Sequence, residues 1–402
     1  MRHGPATSAL MVATGLRDGQ TLAATIDEAG RLTSLASAGI RSVLPGTGLT
    51  RSGRSIVLYP ATAFHYEKQK RKPMRVSTLL AGAAVALSMI HGPATAADYT
   101  FKFGHAASSR HAFQTGVEMF AKAVAEKTGG RVEIEVIGDR QLGDDKQLLE
   151  GVQLGTIDGA LVSSPTFPLA AGAVAVDALQ LPFVVTSYDQ LAAVLAGPVG
   201  QKILDSLSEK GMKGLSYYEA GLRHFLSRAK PVKSLADFQG LKTRIVPIPL
   251  HKATWEAVGT NPVGMPYGEV YSGLETGVID AVEINLSSIE SENLYQNARE
   301  VTLTGHYFWP GILIMNQARF DGLPDDIKQA LVEAGHETIA EHYAFVHDDE
   351  ARVAAELKSK GVTINQLDNL DEMRARTAPV VEQWSAKDPL IGEFIATVRK
   401  GS

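Results

Sequence analysis

From residue 99 onward, short strand-like runs alternate with helix-like runs. A chain with that order must build βαβ units, so the expected fold class is α/β with a mainly parallel sheet. Tyr99–Phe103 alternates as a strand does, and Phe113, Val117, Phe120 and Val124 recur at helical spacing up to Gly129-Gly130. Val132, Ile134 and Val136 interleave with Glu133 and Glu135 as a half-buried strand. Asp144–Leu154 reads as a helix closed by Gly155, and Gly159–Val162 as a buried strand. Further on, Leu215–Tyr218, Leu241–Val246 and Ile312–Met315 read as strands, and His251–Val258 and residues 268–276 as helices. Asp325–His347 is a long helix that continues or restarts to Lys360, and the chain from Leu370 is helical and amphipathic.

A short pattern occurs twice. Gly155-Thr156-Ile157-Asp158-Gly159-Ala160 is echoed by Gly277-Val278-Ile279-Asp280-Ala281-Val282, each after a helix and opening an apolar strand. The echo predicts two similarly built lobes, and a cleft between domains is a common site for small ligands. In each copy the Gly suits a left-handed helix end and the Asp a turn cap, so neither Asp is read as catalytic.

The N-terminal quarter reads differently. Lys68, Lys70, Arg71, Lys72 and Arg75 precede an uncharged run, Val76–Ile90, and then Ala94-Thr95-Ala96, a small-x-small pattern. Basic, apolar and cleavable segments in that order make a secretory signal. The run has 15 residues, short of the roughly 20 that a membrane-spanning helix needs. Residues 74–96 are therefore expected to be a signal peptide cleaved after Ala96, with Met74 placed to initiate it. Residues 1–73 show no sustained period of 2 or 3.6 and are expected to be a non-native or disordered upstream extension. The formal net charge of −5 hides a split: residues 1–97 carry 11 basic and 4 acidic side chains, the rest 28 and 40. So acidic a body is a poor partner for nucleic acid or anionic lipid.

The chain has no cysteine, which excludes disulfides, thiolate metal sites and a cysteine nucleophile. It shows no phosphate-binding loop and no dinucleotide fingerprint. His336-Glu337-Thr338-Ile339-Ala340 begins like a zinc-protease helix but lacks the second His, and His336 and His342 are read as solvated. No catalytic residue, metal site or cofactor is expected. Arg244 lies near the end of an apolar strand that stops at Pro247. A guanidinium there needs an anion, because burying it alone is costly. That anion is either a protein carboxylate or a ligand carboxylate, which the planar fork of Arg grips well. Arg223 is a second candidate of the same kind, and Trp309 is placed either to wall a pocket or to fill core.

The segment from Ala97 onward resembles the solute-binding receptors of TRAP transporters, of the C4-dicarboxylate-receptor type. The likeness is carried by Thr128-Gly129-Gly130-Arg131-Val132, Gln141-Leu142-Gly143, Gly155-Thr156-Ile157-Asp158, Leu181-Pro182-Phe183, Gly221-Leu222-Arg223, Gly240-Leu241-Lys242-Thr243-Arg244 and the run from Met265 to Asp280. The resemblance implies a two-lobed periplasmic-binding-protein-like fold with a hinge and a long lobe-bridging helix. Lobe I would hold 97–220 plus 310–347, and lobe II 221–309 plus 348–402. It implies a periplasmic receptor that closes on a small organic carboxylate and docks on an ion-gradient-driven permease, with no nucleic-acid partner and no membrane insertion of the mature chain. It places the ligand's salt bridge on Arg244, with Arg223 assisting. Ile284 stands where the family usually has a ligand-bonding Asn; Asn285 is the nearest substitute, though neighbouring strand residues face opposite ways. Ser163, Ser164, Phe183, Trp309 and Glu219 are further pocket candidates by position near strand ends. A receptor for an ATP-driven importer or a sensor, or an enzyme on a two-lobed scaffold, are the alternatives.

Overall fold

The computed structural model describes residues 9–13, 22–26, 32–37, 97–228 and 230–401. The chain divides into two units, Met1–Ala84 and Val85–Ser402. In the first, strands β1 (Ala9–Ala13), β2 (Leu22–Ile26) and β3 (Leu32–Ser37) pair antiparallel in sequence order. The expected signal peptide, 74–96, lies outside the described residues.

The second unit builds two sheets. In the first sheet β4 (Tyr99–His105), β5 (Val132–Ile137) and β6 (Gly159–Ser163) are parallel, joined by α1 (Ala112–Lys127) and α2 (Asp145–Leu154). α1 turns Phe113, Val117, Phe120 and Val124 inward, as their spacing requires. α2 starts in a reciprocal capping box between Asp144 and Gln147 and ends at Gly155 with φ 74°. Two helices, α3 (Tyr188–Ala196) and α4 (Pro198–Asp205), lead to β7 (Met212–Glu219).

At 220–222 the chain crosses to the second sheet. It runs through β8 (Arg223–Ser227), β9 (Lys242–Ile245), α5 (Pro249–Val258), β10 (Asn261–Gly264), α6 (Val270–Thr276), β11 (Ala281–Asn285), α7 (Leu286–Ser291) and β12 (Glu300–Leu303). It returns through 304–309 into β13 (Pro310–Asn316), which completes the first sheet in the order β5-β4-β6-β13-β7. After α8 (Gln317–Asp321) and α9 (Asp325–Ser359), β14 (Thr363–Gln366) closes the second sheet in the order β10-β9-β11-β8-β12-β14. α10 (Leu370–Ser385) and α11 (Pro389–Lys400) follow.

Both sheets are mixed rather than mainly parallel. β13 is antiparallel to β6 and β7, and β8 is antiparallel to β11 and β12. The reason is the double crossing. A chain arriving from the other sheet enters where the parallel strands end, so Gly311 pairs with Ser163, and Arg223 with Asn285. The carboxyl ends of the parallel strands thus face the cleft, where open α/β sheets bind ligands.

α9 is one helix of 35 residues, about 50 Å long. Its Ile327, Leu331 and Ala334 join the apolar core that contains Phe103 and Phe120, while Val353 and Leu357 join the core that contains Val282 and Ile284. It therefore braces both sheets. Close approach is allowed by Gly335, where a Cβ would lie 2.2 Å from the Leu215 carbonyl oxygen. α11 packs on α3, α4 and the 174–180 segment rather than with the second lobe, because its Ile391, Phe394, Ile395 and Val398 complete the apolar cluster that holds Val199 and Ile203.

The echoed motif is structural. Gly155 and Gly277 end α2 and α6 with φ 74° and 76°. Asp158 accepts the backbone N–H of Lys102 at 2.7 Å, and Asp280 that of Lys242 at 3.0 Å. Each Asp fastens a neighbouring strand instead of capping a turn. No helix among the described residues is long and apolar enough to cross a membrane.

Candidate functional site

Between the sheets lies a cavity of about 610 Å³, lined from the first sheet's side by residues including His111, Asp145, Ser163 and Thr166, and from the second by Arg223, Arg244, Tyr267 and Ser288, with Trp309 from the returning crossover. The volume is in the range of small-molecule sites.

Arg244 is 2% exposed and sits near the carboxyl end of β9. Its Nε and Nη2 donate to the carbonyl of Met265, just past β10, at 2.9 and 2.8 Å. No carboxylate lies within salt-bridge distance of it among the described residues. Burial pushes the guanidinium down to about 10, against the attraction of Glu283; it stays charged at neutral pH. Its fork is thus held in place by a neutral carbonyl while its charge remains unmatched.

Arg223 differs. Opening β8 opposite Asn285, it donates from Nε to Glu283 at 2.7 Å, from Nη1 to Asn285 Oδ1 at 3.3 Å, and from Nη2 to the Glu283 carbonyl. Its guanidinium stacks 3.6 Å over the Trp309 ring. Burial pushes the Glu283 carboxyl up, but the Arg223 charge outweighs it and holds the group well below the usual carboxylate range. Arg223 is therefore a neutralised, rigid part of the cavity wall.

His111 caps α1: its Nδ1 accepts the Phe113 N–H, which leaves Nε2–H to donate to Ser288 Oγ at 3.0 Å. Burial lowers the imidazole to about 3, so it is neutral. Ser288 in turn donates to Asn285 Oδ1 at 3.0 Å. This relay joins the lobes beside the cavity. At the rim Glu292 accepts the Ser108 N–H at 2.9 Å and pairs with Arg140 at 2.8 Å, Arg110 donates to the Ser291 carbonyl at 2.8 Å, and the Gly268 N–H reaches Asp144 at 3.2 Å. The lobes are closed on each other.

Of the residues singled out in the sequence, Arg244, Arg223, Ser163 and Trp309 line this cavity. Asn285 does not; it is buried and supports Arg223 and Ser288. Ile284 points into the apolar core of the second sheet, so no polar side chain replaces the family's Asn from that position. Ser164 is fully buried and accepts from Gln180 at 2.9 Å. Phe183 lines a separate hollow, with Arg374 over its ring at 5.5 Å. His342 is buried, donating to the Ala112 carbonyl at 2.9 Å, and is not solvated as read. His111, Asp145, Ser288 and Glu283 were missed; only a strand pattern with an acid facing a buried Arg could have pointed to Glu283.

Glu219 is buried where the crossovers meet and faces no ligand. One oxygen accepts the N–H groups of Ala220, Gly221 and Trp309 at 3.2, 2.8 and 2.7 Å. Burial pushes its carboxyl up to about 8 despite these bonds. Unfolding releases it to its ordinary value of about 4.3. Because the folded value is raised, its contribution to stability is full below about 4.3 and is lost as pH rises through about 8. Glu219→Gln keeps the acceptor and removes the charge. Thermal melts are expected to show the variant gaining on the wild type from about pH 5 to about pH 8; a constant difference would contradict this.

Two lobes closed over a cavity that holds a buried guanidinium, with no carboxylate within salt-bridge distance of it among the described residues, are the arrangement expected of a solute-binding protein. Residues 103–388 match the family described as bacterial extracellular solute-binding protein, family 7, and the chain belongs to that family, which contains the receptors of TRAP transporters. It is 34% identical over 294 residues to a solute-binding protein of Verminephrobacter eiseniae, covering 72% of this chain and 87% of that one. It is 32% identical over 265 residues to the 2,3-diketo-L-gulonate-binding periplasmic protein of Escherichia coli, covering 66% and 80%. A TRAP periplasmic solute-binding protein of Chromohalobacter salexigens, solved with bound D-glucuronate, superposes with a TM-score of 0.70 at 29% identity, over 75% of this chain and 100% of that one.

Proposed function

We propose that this protein captures a small organic carboxylate in the periplasm and delivers it to a TRAP-type permease driven by an ion gradient. The observation that carries the reading is Arg244: buried, fixed by a carbonyl, exposed to the cavity and unmatched by any acid among the described residues. A ligand carboxylate supplies the missing anion, and a pre-positioned guanidinium loses little freedom in gripping it. Exclusion of water on closure strengthens the pair. Glu292, Ser291 and Gly268 hold the closed form, which is the form a permease would receive. Relatives solved with D-glucuronate and β-D-galacturonate support an acid as ligand. The reading involves no catalytic step. The signal at 74–96 would export the chain, and a mature N-terminus at Ala97 is checked by sequencing the secreted protein.

The direct test is a thermal-shift screen with D-glucuronate, D-galacturonate, D-galactonate, D-erythronate, succinate, malate and galactarate, and with the methyl ester of each hit. Ligand at a hundred times its Kd adds about 2.7 kcal/mol of stability. At least one free acid is expected to raise the Tm and its ester to leave it unchanged; equal shifts by acid and ester would overturn the reading.

A further inference from the structure

The cavity is asymmetric in charge. At one end lies Arg244, unmatched. Arg223 adds a second cation, but Glu283 already balances it at 2.7 Å. Asp144, Asp145 and Glu150, at the start of α2, line the same cavity from the first lobe, and Glu269 joins them from the other lobe. Lys146 lines it too, paired with Glu150 at 3.6 Å. Asp145 is half-buried at the first helical position; its Oδ1 lies 3.4 Å from the Ser163 N–H, and no cation is within salt-bridge distance of it among the described residues. Ser163 and Thr166 add hydroxyls to the same cavity.

Granting that the cavity takes a carboxylate, we infer that it selects a monocarboxylate carrying several hydroxyl groups and rejects dicarboxylates, with Asp145 as the discriminating residue. One free guanidinium matches one carboxylate. A second carboxylate would meet four acidic side chains, Asp144, Asp145, Glu150 and Glu269, against one ammonium, Lys146, that Glu150 already pairs, and like charges brought together at a site suppress the wrong partner. A hydroxyl meeting the same side chains donates to a carboxylate oxygen, a charge-assisted bond of the stronger kind. Burial and the neighbouring Asp144 push the Asp145 carboxyl up to about 6, so it is still largely ionised at neutral pH.

The test is calorimetric titration of the purified protein with the seven acids named above, repeated with Asp145→Asn, which keeps the Asp144 cap intact. The tightest ligand is expected to be one of the four hydroxylated monocarboxylates, with succinate, malate and galactarate about a hundredfold weaker or worse. Asp145→Asn is expected to weaken the monocarboxylate about tenfold and to narrow the gap to galactarate by a similar factor, with the ligand-free Tm unchanged or raised. A dicarboxylate binding as tightly as the best monocarboxylate would overturn the inference and leave the receptor reading standing, as would an equal effect of Asp145→Asn on both classes. Failure of all seven acids to bind would overturn both.

Discussion

Arg244→Ala is expected to weaken ligand binding by about 2–5 kcal/mol, roughly thirtyfold to several thousandfold, because it leaves a desolvated carboxylate with no partner. The same change is expected to leave the ligand-free protein as stable as the wild type or more so. In the free state the guanidinium has the Met265 carbonyl and the more distant Glu283 charge to offset its burial, with no carboxylate within salt-bridge distance among the described residues, and removing a poorly matched buried charge relieves a cost. Arg244→Lys keeps the charge but loses the fork that Met265 holds in place, so its affinity should fall between the two. Calorimetry and thermal melts on the three proteins check all of this. Wild-type affinity in Arg244→Ala, or a large loss of Tm without ligand, would contradict the assignment.

The opposite pattern is expected at Glu283. Glu283→Ala strands the Arg223 guanidinium in a site where the acid is 0% and the base 2% exposed, and breaking such a pair costs about 3–5 kcal/mol. Much of the protein's stability is at stake, since domains are held by only about 5–15 kcal/mol. Replacing both partners, as Arg223→Met with Glu283→Leu, is expected to recover most of that loss while still weakening binding through the altered Trp309 stack. The acid dependence has a definite sign. The Glu283 carboxyl is held low in the folded state, so its contribution is present above the ordinary Glu value of about 4.3 and is lost as pH falls below it. Chemical denaturation of the single and double variants decides; a single variant as stable as the wild type would show the pair to be unimportant.

Together the two arginines show why one sequence feature has two outcomes. Both stand at strand ends facing the cleft, and local pattern treats them alike. What separates them is Glu283, 60 residues away from Arg223 in the chain and brought alongside by the antiparallel pairing of β8 with β11. That pairing was not legible: β8 opens with Arg and His and offers no clean alternation, and strand direction leaves no mark on short apolar runs. Helices α1, α2, α5, α6 and α9 were legible because their ends or faces carry a pattern, whereas α3, α4, α7 and α8 were not read. Asp144 with Gln147, and Gly155 and Gly277, announce caps, and α9 carries an inward stripe from Ile327 to Val346 that resumes at Val353 and Leu357. β10 and β14, at the edges of the second sheet, and β12 beside β14 have four residues each, too few for a period to emerge. His111 and Asp145 looked like ordinary helix starts; only the closing of two lobes places their side chains on one cavity.

The most direct measurement is a crystal structure of the protein with the tightest acid from the titrations. The account predicts a carboxylate oxygen within about 3 Å of an Arg244 guanidinium nitrogen, with Arg223 still paired to Glu283. A carboxylate seated elsewhere, with Arg244 bonded to Met265 alone or turned onto a protein acid, would contradict it.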